Sequence, residues 1–510
     1  MRPVAAFTAI GLVFVPLVLA QTEPAPARAG PAAVVRSGNT PLPELGDGSE
    51  LAAGAERRLG DGIAREMFRD ADYIDDPILF EYVDGIWQAL LAAARSSGGM
   101  SAELDQRFAW RILMGRDRTI NAFALPGGYL GLNLGLVAVV SSRDELASVL
   151  GHELSHVTQR HISRLISRQS GQMPWVIGAM ILGALAAGKN PDAANALIVG
   201  GQALAIQNQL NFSRDMEREA DRVGFSVMTR AGFAPQGFVT MFDKLQQASR
   251  LNDNGGFPYL RSHPLTTERI ADMQARQPTG VAASTVPEMT LEHAMVSARA
   301  RVFSTPAVDA LRQIVAEAND AKLGSQRPAR QVGGLYAAVL GALKLRDFAG
   351  ADAFLTRLAD MTRTDERALR LTNLLAVELA LQAGRSAQDL AHSARPELFL
   401  SSQVLIGKGR GDEAASNLQT WVARHPKDAA AWQLLAGAYS AQGLTLRSIR
   451  AEGEAQVAQL DYAAALDRFK AAQSLVRGVP GAGVDHIEAS IVDTRARQVQ
   501  LLLREQALER

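Results

Sequence analysis

From Ser49 onward, apolar residues recur at the three- and four-residue spacing of amphipathic helices. The stretch SELAAGAERRLGDGIAREMF predicts a helix with Ser49 at its N-cap. DDPILFEYVDGIWQALLAAA, from Asp75 to Ala94, predicts a second, with Pro77 suited to the first turn. The period then changes. Phe108 to Leu113 is a short run rich in aromatic and branched residues, which reads as a strand. Asn121 to Ala124 reads as a second strand, Pro126-Gly127-Gly128 as a turn, and Tyr129 to Leu132 as a third strand. A small antiparallel sheet is therefore expected, followed by a strongly helical stretch that includes Glu145, Leu146, Val149 and Leu150.

The helical period lapses again at QPTGVAASTVPE, which marks a linker at 277–288. Beyond it, from 289 to 510, the chain reads as Ala- and Leu-rich helix pairs with short polar turns. Trp432, Leu435, Ala436 and Tyr439 fall at the offsets of a tetratricopeptide repeat, a unit of about 34 residues. Pro426 closes the preceding unit, whose second helix contains Ala414 and Leu418. Tyr462, Ala465, Phe469 and Ala472 suit another second helix, and Leu335 to Leu358 a weaker unit. The expected fold is mainly α: a helical domain with its small antiparallel sheet (49–276), then a tetratricopeptide-like repeat domain. A generic helical bundle is the plainer alternative for the second part.

The first 20 residues, MRPVAAFTAIGLVFVPLVLA, place Arg2 before an apolar run that ends in small residues, the pattern of a signal peptide cleaved after Ala20. Residues 21–48 are rich in Pro, Ala and Gly and read as a flexible leader. The mature chain is thus expected to be exported to a periplasm. With 510 residues, the chain is too long for one core. Lys+Arg and Asp+Glu are both 53, so no basic excess points to nucleic acid. The absence of cysteine excludes thiolate nucleophiles and cysteine-bound metal.

The candidate chemistry lies in LASVLGHELSHVTQRH. His152 and His156 are one helical turn apart and can offer two imidazole nitrogens to one metal ion. Glu153 beside them is placed to take a proton from water. Gly151 lets another element approach closely. His161 falls about half a turn round the helix and is a poor third ligand, better suited to an exposed or capping position. A third ligand can come from NFSRDMEREADRVG: Glu217 and Asp221 share a face, so Glu217 can ligate while Asp221 bonds the far nitrogen of a ligand histidine. Glu219 points elsewhere, and Ala220 leaves room for close packing. The plain alternative is a solvated helix with internal ion pairs of Arg214 or Arg218.

These motifs, with NAFALPGGYLGLNLGL and SHPLTTERI, resemble the zinc metallopeptidases that include the CAAX-prenyl proteases and HtpX. The signal peptide and the repeats resemble that family's periplasmic branch. The resemblance covers about Asp75 to Ile270. It implies one Zn2+ per chain held by His152, His156 and Glu217, with Glu153 as general base and Asp221 supporting. It also implies that the strand Asn121, Ala122, Phe123 and Ala124 pairs with an extended substrate, which fits strand addition at a sheet edge.

The implied function is endopeptidase cleavage of misfolded or stalled exported proteins during outer-membrane protein assembly. The repeats would engage the assembly machinery. His263, before Pro264 at a helix entry, has three readings: structural, an oxyanion stabiliser, or a fourth ligand that holds the enzyme off. Arg269 could support the same segment or pair with an acid. The alternative function is a chaperone or assembly scaffold whose metal site is silent or latched. A membrane-embedded prenyl-protein peptidase is disfavoured by the lack of long apolar spans. The apolar stretch Pro174 to Gly188 reads as a buried helix or as a flap in peripheral membrane contact.

Overall fold

Capping chemistry sets many of the helix starts in this computed structural model, which describes residues 51–168, 213–251, 258–277, 288–388, 390–391, 394–478 and 485–508. These residues all belong to one unit, Asp47–Arg510. The expectations for 1–48, for the linker at 278–287 and for Pro174 to Gly188 lie outside the described residues, as does Ser49. Helix α1 (Ala53–Arg69) begins after Ala52, which offers no side-chain cap. In α2 (Pro77–Ser96) the Asp76 carboxylate accepts from Leu79 N at 2.9 Å, and Pro77 occupies the first turn, where its missing N–H costs nothing. The apolar face of α2 (Ile78, Leu79, Val83, Ile86, Trp87, Leu90 and Leu91) is buried in the core. The Trp87 indole N–H, which burial would otherwise strand, donates to Trp110 O at 3.1 Å.

After α3 (Ala102–Arg107) come three strands, β1 (Arg111–Gly115), β2 (Ala122–Leu125) and β3 (Tyr129–Asn133), in the order β1-β3-β2. The strand expectations hold within a few residues, but the sheet is mixed. β2 pairs antiparallel with β3, whereas β1 runs parallel to it, Arg111 facing Tyr129. The hairpin at Pro126-Gly127-Gly128 needs its glycines. Their φ values are +72° and +83°, and a Cβ on Gly128 would sit 2.7 Å from Phe108 Cβ. β2 is left at the sheet edge.

Helix α4 (Leu134–Val139) leads to α5 (Arg143–Thr158), which Ser142 caps by accepting from Glu145 N. Asp144 and Glu145 in its first turn complement the helix dipole. The chain reverses at Arg160 (φ +53°) into α6 (His161–Arg168). Four further helices follow among the described residues of this part: α7 (Arg214–Arg230), α8 (Gln236–Leu251), α9 (Pro258–Ser262) and α10 (Thr267–Ala275). No helix among the described residues is long and apolar enough to cross a membrane.

Among the described residues beyond this part every regular element is a helix, and most of these helices pack chiefly on their neighbours in sequence. The segment Leu335 to Leu358 spans α14 (Pro328–Lys344) and α15 (Phe348–Thr362), after α11 (Leu291–Phe303), α12 (Val308–Glu317) and α13 (Ala321–Gly324). Of the repeat positions, Ala414, Leu418, Leu435, Ala436, Tyr439, Ala465, Phe469 and Ala472 are buried. Pro426 sits in the turn between the helices Gly411–Arg424 and Ala429–Ala441. This is the burial expected of stacked helical repeats.

Arginines tie these helices to the start of α2. Arg299 (2% exposed) contacts Asp76 and Glu378 at 2.6 Å each, Arg395 bridges Asp75 and Asp428, and Arg370 bridges Glu81 and Glu397. Arg299→Met would remove the guanidinium that both carboxylates contact. We expect a loss of about 3–5 kcal/mol, read as a lower urea midpoint at unchanged slope; an unchanged midpoint would rule out this anchoring role.

Candidate metal centre

Helix α5 holds His152, Glu153 and His156 on two buried turns. Helix α7 approaches it where Gly224 of α7 meets Gly151 of α5. A Cβ on Gly224 would lie 2.9 Å from Gly151 C and His152 N. That close crossing lets side chains from two helices meet head-on. We expect Gly224→Ala to wedge the helices apart, cost about 1–3 kcal/mol and weaken metal uptake; a melting temperature and metal stoichiometry like the parent's would contradict this.

The chain brings together His152, Glu153, His156, Glu217, Asp221 and His263. His152 Nε2 lies 3.0 Å from His156 Nε2. Glu217, in the first turn of α7, sets its carboxylate oxygens 3.4 Å from each of these nitrogens. His263, just after α9, sets Nδ1 3.0 Å from Glu217 Oε1 and 3.3 Å from His152 Nε2. Ligand atoms of His152, His156, Glu217 and His263 all lie within 4.8 Å of one another, and all four residues are buried.

The hydrogen bonds around this cluster assign its protons. His152 Nδ1–H donates to Asp221 Oδ1 at 2.9 Å, which leaves the Nε2 lone pair facing inward. Asp221 is held in turn by Arg269, whose Nε and Nη2 donate at 2.6 and 2.8 Å. Both expectations for Arg269 are realised. It pairs with Asp221 and Glu217, and it donates to Pro264 O at 2.8 Å, which steadies the His263 segment.

The electrostatics ask for a cation. Burial lowers the His152 pKa, but hydrogen bonds to Asp221 and Glu217 outweigh it and push it up to about 10. Burial raises Glu217, yet His263, His152 and His156 hold it well below the usual carboxylate range. Two carboxylates buried among imidazoles thus favour a positive charge at the centre, which either a second proton on His152 or a metal ion bound in its place can supply. The donor set, two imidazoles and a carboxylate, fits a divalent metal ion, zinc among them.

Glu153 is fully buried. Its Oε2 accepts from Ala124 N at 2.9 Å, and Oε1 has no hydrogen-bond partner. Burial raises its pKa, against the opposing pull of His263 and His152, which suits a group that must accept and return a proton. The contact with Ala124 places the outer edge of β2 against Glu153. Asn121 pairs with β3 through its carbonyl, which accepts from Asn133 N, while its side-chain Oδ1 is buried without a partner. Phe123 lies over Gly131, where a Cβ would be 2.1 Å from the ring.

Two features differ from sequence expectation. His161 is neither exposed nor a cap on the surface: it is fully buried, because the turn at Arg160 folds α6 back toward α7. It contacts His156 and Glu219. Tyr259 was not singled out at all. Its ring lies 4.7 Å from that of His263 and 6.4 Å from that of His152. Its position one turn before His263 was the only signal in the sequence, and the helix that makes this spacing meaningful is only five residues long.

Comparison with known proteins adds kinship to this geometry. The sequence profile of Peptidase family M48 matches residues 88–277. A putative beta-barrel assembly-enhancing protease of Vibrio cholerae is 32% identical over 458 residues, covering 87% of this chain and 90% of that protein. The beta-barrel assembly-enhancing protease of Escherichia coli is 29% identical over 441 residues, 83% of this chain and 86% of that one. The mitochondrial metalloendopeptidase OMA1 of Saccharomyces cerevisiae is 27% identical over 196 residues, 38% of this chain and 54% of the yeast protein.

Proposed function

Because the chain belongs to Peptidase family M48 and is related over most of its length to beta-barrel assembly-enhancing proteases, we propose that it is a zinc metalloendopeptidase of the periplasm. Its substrates are misfolded or stalled exported proteins, and its setting is outer-membrane protein assembly. The observation that carries this reading is the buried convergence of His152, His156 and Glu217 beside Glu153. These three would hold one zinc ion, which when bound supplies Lewis-acid polarisation of the scissile carbonyl and acidifies water.

Glu153 takes the proton of the attacking water and returns it to the leaving amine. The N–H of Ala124 orients that carboxylate. Asp221, braced by Arg269, fixes the tautomer of His152. The backbone of Asn121, Ala122, Phe123 and Ala124, on the edge strand, pairs with an extended substrate segment. The signal peptide at 1–20 directs export and is removed after Ala20, which leaves 21–48 as a flexible leader. The peptidase domain at 49–276, the linker at 277–288 and the repeats at 289–510 follow, the repeats engaging outer-membrane assembly machinery. The relatives' names support this setting.

The test is cleavage of casein or an unfolded outer-membrane protein by the purified mature chain, with metal content measured. Stoichiometric zinc with cleavage supports the reading; no zinc overturns it. A second reading, a scaffold with a latched site, is favoured by His263, which touches Glu217 and lies 3.4 Å from Glu153. His263→Ala separates its two roles. Faster cleavage marks a latch, whereas slower cleavage, by about 10²–10³-fold, marks an oxyanion stabiliser.

A further inference from the structure

The two histidines of α5 are supported unequally. His152 donates directly to a carboxylate, Asp221, at 2.9 Å. At His156 the group found against Nδ1 is another imidazole. Its Nε2 faces the cluster, 3.0 Å from His152 Nε2 and 3.4 Å from Glu217 Oε1. For Nε2 to offer a lone pair, the ring proton must sit on Nδ1. That nitrogen lies 2.8 Å from Nδ1 of His161. His161 must therefore accept there, which places its own proton on Nε2. Nε2 lies 3.1 Å from Glu219 Oε2, an acceptor, and Glu219 is paired with Arg164 at 2.7 Å. Every donor meets an acceptor in one arrangement: His156 Nδ1–H to His161, then His161 Nε2–H to Glu219.

We propose that His161 and Glu219 are positioning residues for the metal centre, a buried relay that fixes the tautomer and ring orientation of His156. The inference rests on the metallopeptidase reading and deepens it. Groups that orient a metal-ligand histidine commonly change metal affinity by about 10–100-fold. Here the orienting group is itself an imidazole, and the carboxylate stands one residue further out, at the edge of solvent. The relay spans three helices, so it also ties the ends of α5 and α6 to α7. His161 lies on α6, outside the H-E-x-x-H pattern.

The test is zinc affinity by chelator competition on the full mature chain, for the parent, His161→Phe, His161→Gln and Glu219→Ala, with cleavage kinetics alongside. We expect His161→Phe to lose about 10–100-fold in zinc affinity. Gln can accept from His156 and donate to Glu219 through one amide, so His161→Gln should restore most of the loss. Glu219→Ala, at a partly exposed position, should fall between. Equal affinity in parent and a folded His161→Phe would overturn the proposal, and so would failure of Gln to restore it, which would mark a packing defect. Should His161→Phe not fold, Glu219→Ala decides: parent-like affinity overturns the proposal, and weakened affinity supports it. A parent that takes up no zinc would overturn the metallopeptidase reading itself, whereas a zinc-loaded parent with unaffected variants overturns the relay alone.

Discussion

Glu153→Gln is expected to lower kcat for peptide cleavage by about 10²–10⁴-fold, the usual contribution of a positioned general base. The physical reason is narrow. Gln keeps the shape of the side chain, and its amide oxygen can still accept from Ala124 N–H, so α5 and β2 should stay in register. It cannot take a proton from water. Zinc content should be unchanged, because the proposed ligand atoms belong to His152, His156 and Glu217, and Glu153 is not among them. KM should change little, since the edge strand is intact. Single-turnover cleavage with matched zinc content checks this. Cleavage at the parental rate would remove Glu153 from the mechanism, and a fall in step with lost zinc would make its role structural.

Arg269→Met should cost the fold about 3–5 kcal/mol and shift its acid sensitivity as well. Arg269 is 3% exposed and meets Asp221 at 2.6 Å and Glu217 at 2.9 Å. Met can fill much of its volume and keep contact with Phe242, over which the guanidinium lies. It leaves two buried carboxylates without their cation. The pH dependence should change with it. Burial raises the Asp221 carboxyl, but hydrogen bonds from Arg269 and His152 more than offset this and hold it below its usual value. A carboxyl depressed in the folded state contributes stability that is present above its unfolded pKa and lost as pH falls through the folded one. In the parent that loss belongs to strongly acid solution. Without Arg269 it should begin at higher pH. Urea unfolding of chelator-stripped protein across the acid range checks both statements; a parent-like midpoint and profile would show that Arg269 is not the counter-charge.

Much of the centre was legible before folding because helical geometry is local. One turn separates His152 from His156, and one turn separates Glu217 from Asp221, so each pair shares a face whatever surrounds it. The strands and the hairpin were legible for the same reason, since Gly127 and Gly128 carry their backbone preference with them. The parallel pairing of β1 with β3 was not. Strand order is chosen by which faces are buried, and the alternation of side chains within one strand does not encode its partner.

Composition, period and motif by themselves determined a mainly helical chain, a helix that sets two histidines on one face beside a glutamate, and a second helix that offers a carboxylate pair. Tertiary structure decided everything that depends on meeting across elements. It buried His161 behind His156, set Tyr259 against His263, and gave Arg269 two carboxylates at once. These contacts join residues far apart in sequence, and a residue's protonation and partners are set by the space it is folded into.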